Sequence, residues 1–331
     1  MRVAINGFGR IGRLSLRSIL KKSDITVVAI NDLTDTQTLA HLFKYDSAQH
    51  AFDGVVHFTD THLVINGHSI RVVHEKNPKQ LPWKELGVDV VLESTGHFTK
   101  REDAEQHLAA GAKKVLISAP ATGGVKTIVL GVNEHELKAD DLIISNASCT
   151  TNCLAPMVKV LEENFGLEHG FMSTVHAMTA DQRLVDAPHK DLRRARAASV
   201  NIIPTTTGAA KAVAEVMPSM KGKITGNSVR VPVITGSLTD FTAVLKKAVS
   251  VEEINAAFKQ AAEGSLSPYL QYSEEPLVSG DIIGNSHSCI FDAPSTMVLE
   301  GTFVKIVAWY DNEMGYSSRI ADLLSKMYAL K

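Results

Sequence analysis

Only three cysteines occur in 331 residues, Cys149, Cys153 and Cys289, and an odd, sparse set argues against a secreted disulfide framework. No CxxC and no Cys/His pair at zinc spacing is present, so no metal site is expected. Neither sign of charge dominates, with 34 basic against 36 acidic residues, which leaves no whole-chain field to attract nucleic acid or an anionic membrane. No apolar run approaches the roughly 18 residues of a membrane span, and no signal-peptide pattern opens the sequence. A cytoplasmic protein with a small-molecule partner is expected. No repeat and no Pro/Gly/Ser-rich linker interrupts the chain.

What is there falls into two halves, each able to form a core given the 44% hydrophobic content. "RVAIN", "ITVVAIN", "DVVLES", "KKVLIS" and "LIISN" are short β-branched runs alternating with helical segments, which predicts a parallel sheet. "HLVINGHSIRVV" carries Asn66-Gly67 between two strand-like runs and predicts a hairpin. From Cys149 a helix-like segment leads into long strand candidates such as "FMSTVHAMT" and "TMVLEGTFVKIVAWYDN", the pattern of a mostly antiparallel α+β domain.

"NGFGRIG" sets Gly7, Gly9 and Gly12 in a GxGxxG pattern between the first strand and its helix. That pattern suits a tight turn, close approach of backbone to a pyrophosphate, and a phosphate at the helix N-terminus. Asp32 follows the second strand, where a carboxylate accepts from ribose hydroxyls and repels a 2′-phosphate, favouring NAD over NADP. The alternative makes the glycines turn formers and Asp32 a cap. Arg10 suits either a phosphate contact or a solvated first turn.

Cys149 follows "LIISN" and opens a helix-like segment, where the helix dipole favours a thiolate. Its neighbours Ser148, Thr150, Thr151 and Asn152 are polar, whereas Cys153, one turn on, reads as a core residue. Among thirteen histidines spacing alone selects none; His176 lies within a strand, as a site residue or as a satisfied core histidine. "TTTGAA" and the arginines of "LRRAR" and "SVRVP" suit anions, or caps and surface faces.

With "INGFGRIGR", "SNASCTTN", "TVHAMT", "TTTGAAKAV" and "WYDNEMGYS" in this order, the chain resembles the phosphorylating glyceraldehyde-3-phosphate dehydrogenases from its first strand to its last helix. The resemblance implies a Rossmann-type α/β NAD-binding domain over residues 1–148 with 312–331, and a mostly antiparallel α+β catalytic domain over 149–311. It implies Cys149 as the nucleophile that forms a hemithioacetal and then a thioester, and His176 as its base. Arg10, Ile11, Asp32, Ser118 and Asn312 match NAD-contacting positions, and Lys76 stands where an arginine beside the adenine is usual. Thr179, Asp181 and Arg230 match the substrate-phosphate site; Ser148, Thr150, Thr207, Gly208 and Arg194 match the inorganic-phosphate site. A homotetramer acting on glyceraldehyde 3-phosphate and inorganic phosphate is implied, with erythrose-4-phosphate dehydrogenase as the alternative. Thr179 and Thr207-Gly208, which that alternative tends to lose, are kept.

Overall fold

The computed structural model describes residues 1–330, which divide into two compact units. Among the described residues the first comprises 1–128, 135–147 and 317–330; the second comprises Val129–Glu134 and Ser148–Tyr316.

In the first unit the strands His68–Val73, Thr26–Asn31, Arg2–Asn6, Val90–Glu93, Lys114–Ile117 and Ile143–Ser145 lie side by side, all parallel. Numbered among themselves along the chain, they stand in the order 3-2-1-4-5-6 of a doubly wound dinucleotide-binding sheet, with the first strand at the switch point. The run Val90–Glu93 is buried at every residue, as a strand covered on both faces must be. The expected hairpin forms from His62–Ile65 and His68–Val73, with Asn66 and Gly67 both at positive φ in its turn.

Beneath the strand ends lies a buried polar network. Trp83 Nε1 donates to His107 Nδ1 (3.1 Å), and His107 Nε2 then donates to Glu93 Oε2 (3.0 Å). Glu93 also accepts from Asn6 Nδ2 (2.6 Å) and from the Thr95 N–H (2.8 Å), so the carboxylate is saturated although 1% exposed.

The second unit holds an eight-stranded sheet that runs from the edge strand Ile203–Thr206 through Ile224–Val231, Leu167–Ala177 and Ser237–Leu245 to Phe303–Tyr310. Its pairings are antiparallel except Leu167–Ala177 with Ile224–Val231 and Leu270–Ser273 with Cys289–Asp292. Ser237–Leu245 alternates buried and half-buried residues without a break, the period of a sheet covered by helices on one side. The helix Cys149–Phe165 provides that cover, with eleven buried residues from Thr150 to Leu161. In the parallel pair, Gly226 can have no side chain, because a Cβ there would stand 2.2 Å from Met172 O. The register that follows brings His176 opposite Arg230.

Three particulars differ from the sequence expectation. Residues 129–134 belong to the second unit, where Lys159 Nζ donates to Gly131 O (2.8 Å). Residues 312–316 also lie there, since Asn312 is held by the Thr235–Ser237 turn. "TMVLEGTFVKIVAWYDN" is two antiparallel strands, Met297–Leu299 and Phe303–Tyr310, because Glu300 and Gly301 turn the chain at positive φ.

Candidate active site

The nucleotide-binding features of the first unit fit the group they imply. Gly7, at φ 91°, faces the Ser94–Thr95 backbone so closely that a Cβ would lie 2.7 Å from Thr95 N. At Gly12 a Cβ would meet Gly7 O at 2.2 Å, so helix and turn are in backbone contact there. Gly9 is different: a Cβ would meet nothing within 4 Å, and the open space lies at the N-cap of helix Arg10–Ile19, which has no side-chain cap of its own. The pyrophosphate of a dinucleotide fits a glycine with room before it and a helix N-terminus behind it. Asp32 Oδ2 accepts from the Phe8 N–H (2.8 Å) and Oδ1 from the Thr34 N–H (3.0 Å), so the acid braces the glycine turn. Arg10 begins the helix and pairs with Asp46 (2.5 Å), Ile11 is half-buried, and Ser118 Oγ donates to Glu93 O (3.0 Å). Lys76 is exposed, in the loop after His68–Val73.

In the second unit Ser148 caps the helix Cys149–Phe165, its Oγ accepting from the Thr151 N–H (3.1 Å). Cys149 is thereby the first helical residue, and Cys149 Sγ stands 3.4 Å from His176 Nε2. The other ring nitrogen, Nδ1, is 2.7 Å from Ala177 O, a group that can only accept, and 3.2 Å from Arg230 Nη1, whose two hydrogens go to Thr179 Oγ1 and Ala177 O. Nδ1 therefore carries the hydrogen and Nε2 offers a lone pair to the thiol.

Burial pushes the Cys149 thiol up from its ordinary pKa, against Arg230, whose charge pulls it down. Burial and then Arg230 take His176 down to about 3. Burial thus opposes charge on both partners, while Arg230 and the helix N-terminus favour charge on the sulfur. The imidazole has an open acceptor nitrogen on the sulfur, the disposition of a base that removes the thiol proton as the sulfur attacks.

Arg230 anchors an anion-binding arrangement. Its Nη1 donates to Thr179 Oγ1 (2.9 Å) and Ala177 O (3.2 Å), while its buried Nε has no partner. A buried guanidinium N–H left unused is a donor waiting for an acceptor, and an anion supplies one. Thr179 Oγ1 in turn donates to Asp181, and Asp181 Oδ2 holds Arg194 Nη1 (2.5 Å). Arg194 Nε also donates to Thr205 Oγ1 (3.0 Å), joining the "LRRAR" and "TTTGAA" segments. Thr207 Oγ1 accepts from the Ala209 N–H (3.2 Å), and Gly208 is the N-cap of helix Ala209–Val216 with open space on its Cβ side.

Thr150 is buried beside the sulfur, its Oγ1 3.0 Å from Tyr310 OH. Asn312 Oδ1 accepts from Ser237 Oγ (2.9 Å) and the Gly236 N–H (3.2 Å), which fixes its amide so that the NH2 faces away from that turn. Cys153 and Cys289 are fully buried. Sequence reasoning missed Tyr310 and Thr174, which join Thr150 in one hydroxyl chain, and Gln182, whose Oε1 accepts from the Thr179 N–H (3.1 Å). For Tyr310 a signal existed, since a tyrosine in an apolar strand needs a partner for its hydroxyl.

A doubly wound sheet with a glycine turn built for a dinucleotide, joined to a unit with a thiol, an imidazole and two arginines, defines a Rossmann-type oxidoreductase. Residues 1–101 match the family described as "Glyceraldehyde 3-phosphate dehydrogenase, NAD binding domain", and residues 148–312 match "Glyceraldehyde 3-phosphate dehydrogenase, C-terminal domain". The chain is 60% identical over 325 residues to glyceraldehyde-3-phosphate dehydrogenase of Geobacillus stearothermophilus, covering 98% of this chain and 97% of the relative. It is 59% identical to glyceraldehyde-3-phosphate dehydrogenase 2 of Streptomyces avermitilis, and 56% to glyceraldehyde-3-phosphate dehydrogenase 1 of Bacillus subtilis, with the same coverage. The chain belongs to the glyceraldehyde-3-phosphate dehydrogenase family.

Proposed function

We propose that the protein oxidises glyceraldehyde 3-phosphate to 1,3-bisphosphoglycerate, with NAD as cofactor and inorganic phosphate as acyl acceptor, a step of glycolysis or gluconeogenesis. The observation that carries the chemistry is the 3.4 Å approach of Cys149 Sγ to a His176 nitrogen whose lone pair is free. His176 Nε2 takes the thiol proton as Sγ attacks the aldehyde carbon, and the hemithioacetal forms on Cys149. Bound NAD supplies the acceptor for the hydride that leaves that carbon, converting the hemithioacetal into a thioester. With its proton, the His176 imidazolium can polarise the thioester oxygen before phosphate attacks.

The substrate's own phosphate is assigned to Arg230, Thr179 and Asp181, where the unused guanidinium N–H supports an anion. Inorganic phosphate is assigned to Arg194, Thr207, Gly208, Ser148 and Thr150, supported by the uncapped helix at Gly208. The dinucleotide is assigned to Arg10, Ile11, Asp32, Lys76 and Ser118, with Asn312 fixing the nicotinamide amide. By ligand assignment, a NAD-binding domain over 1–148 with 312–331 and a catalytic domain over 149–311 are the functional division of the reading, although residues 129–134 and 312–316 pack within the second compact unit.

A homotetramer is part of the reading. Leu184, Val185, Leu192, Val200 and Ile202 are 71–82% exposed within one segment, more apolar surface than a lone chain usually leaves there. A cytoplasmic location suits three free thiols and a phosphorylated metabolite. No described helix is long and apolar enough to cross a membrane.

Initial rates at 340 nm with NAD or NADP, with and without phosphate, and with erythrose 4-phosphate as competing aldehyde, test the assignment. Turnover of glyceraldehyde 3-phosphate that needs phosphate or arsenate is expected; equal turnover without either would overturn it.

A further inference from the structure

One hydrogen-bond chain runs from the core of the second unit to the reactive sulfur, and its polarity can be read from its far end. Thr174 Oγ1 lies 3.0 Å from Leu238 O, which has no hydrogen, so Thr174 donates there. A threonine hydroxyl has one hydrogen. The 2.8 Å contact between Thr174 Oγ1 and Tyr310 OH therefore uses the phenol hydrogen. The phenol's hydrogen being spent, the 3.0 Å contact between Tyr310 OH and Thr150 Oγ1 uses that of Thr150. Thr150 Oγ1 lies 4.0 Å from Cys149 Sγ and can turn only lone pairs toward it. Tyr310 is 1% and Thr174 1% exposed, so no water competes for these hydrogens.

We propose that Tyr310 and Thr174 are positioning residues: they keep the Thr150 hydroxyl hydrogen turned away from Cys149, so that the sulfur attacks without a hydrogen bond from its neighbour. The proposal rests on the thiol chemistry assigned above. A hydroxyl donating to a thiolate stabilises it and, by about half as much on a logarithmic scale, makes it a poorer nucleophile. Here the hydroxyl is adjacent in sequence and would fall on the sulfur if nothing else claimed its hydrogen. The chain assigns that hydrogen to the phenol and leaves His176 as the group that manages the thiol proton. It also makes Thr150 Oγ1 an acceptor, so a phosphate drawn to this side meets a lone pair and must present its own O–H there. The titratable and charged groups around the sulfur are His176 and Arg230 on the paired strands, Tyr310 on its own strand, and Asp181 and Arg194 beyond Arg230. Cys153 lies near Tyr310 from the helix side.

The test is alkylation of Cys149 by iodoacetamide, followed by mass spectrometry as a function of pH in the full-length protein. Tyr310→Phe frees the Thr150 hydrogen directly. Thr174→Val frees it indirectly, because the phenol hydrogen then has only Thr150 to bond. Both variants are expected to move the alkylation midpoint down by about one pH unit, the size of one hydrogen bond to a charged group. The limiting rate constant should fall about threefold with it. In Tyr310→Phe/Thr150→Val the midpoint should return toward that of the parent. A midpoint that stays or rises in either single variant, or a double variant that keeps the downward shift, overturns the proposal. A merely structural role for Tyr310 predicts slower alkylation without a downward shift. Alkylation needs neither NAD nor aldehyde, so its outcome is independent of the phosphate-dependent NADH assay that tests the function itself.

Discussion

The three glycines of the nucleotide turn should respond differently to the same added methyl group. In Gly12→Ala the new Cβ would stand 2.2 Å from Gly7 O, and neither atom is on a flexible side chain. Helix and turn must separate by about an ångström, at a cost of at least ~3 kcal/mol from a fold holding about 5–15. Gly7→Ala adds the strain of φ 91° to contacts of 2.7–2.9 Å with the Ser94–Thr95 backbone and should be as damaging. Gly9→Ala meets nothing within 4 Å, and at φ −70° its backbone is open to any L residue. It should leave the ligand-free protein as stable as the parent or up to ~1 kcal/mol more so, since alanine restricts the unfolded chain. Its methyl instead occupies the space assigned to the pyrophosphate. Loss of one or two backbone hydrogen bonds to that anion weakens NAD binding by ~10–100-fold. Calorimetric unfolding of each NAD-free variant and fluorescence titration with NAD separate the two effects. If Gly9→Ala melts as early as Gly12→Ala, or binds NAD as the parent does, the distinction drawn from the Cβ geometry is wrong.

The remaining predictions concern charge. His176 has its folded pKa lowered from 6.5 to about 3, so between those values the unfolded chain takes up a proton that the folded one refuses. Its contribution to stability is present above pH 6.5 and is lost as pH falls toward 3, at up to ~1.4 kcal/mol per pH unit. Urea unfolding at pH 6, 5 and 4 should show a shallower loss in His176→Asn than in the parent, and equal slopes would refute the assignment. Asp32→Asn keeps an oxygen acceptor for the Phe8 N–H but removes the charge, so the NADP/NAD ratio of kcat/KM should rise about tenfold. An unchanged ratio would mean that Asp32 does not face the 2′ position.

Local patterns carried the nucleotide half further than the catalytic half, for a physical reason. Strand, glycine turn, helix and Asp32 are all encoded within the first 32 residues, and the Asn66-Gly67 turn pairs strands that are adjacent in sequence. His176 and Arg230 are 54 residues apart, and only the parallel pairing of their strands brings them together. Thr179, Asp181 and Arg194 likewise meet through side chains on loops whose course no periodicity encodes, so the family resemblance was needed to name them. The surroundings of Cys149 divide in the same way: its helix N-terminus can be read from sequence, whereas the burial that opposes charge on the sulfur and the Arg230 charge that favours it depend on segments far along the chain. Tyr310 itself was hidden in an alternating strand that looks purely structural until its hydroxyl is followed.

The parallel pairing that sets His176 opposite Arg230 also carries Gly226 against Met172 O, roughly 13 Å from the arginine at the spacing of a strand. A sheet that slipped by one residue would lodge a side chain against that carbonyl and turn the guanidinium to the opposite face. The glycine therefore acts as a proofreading step in folding, admitting one alignment of the two strands and no other. A chain whose strands have paired out of step holds every residue of the site and assembles none of it, so reactivity at Cys149 arrives with the finished sheet rather than before it.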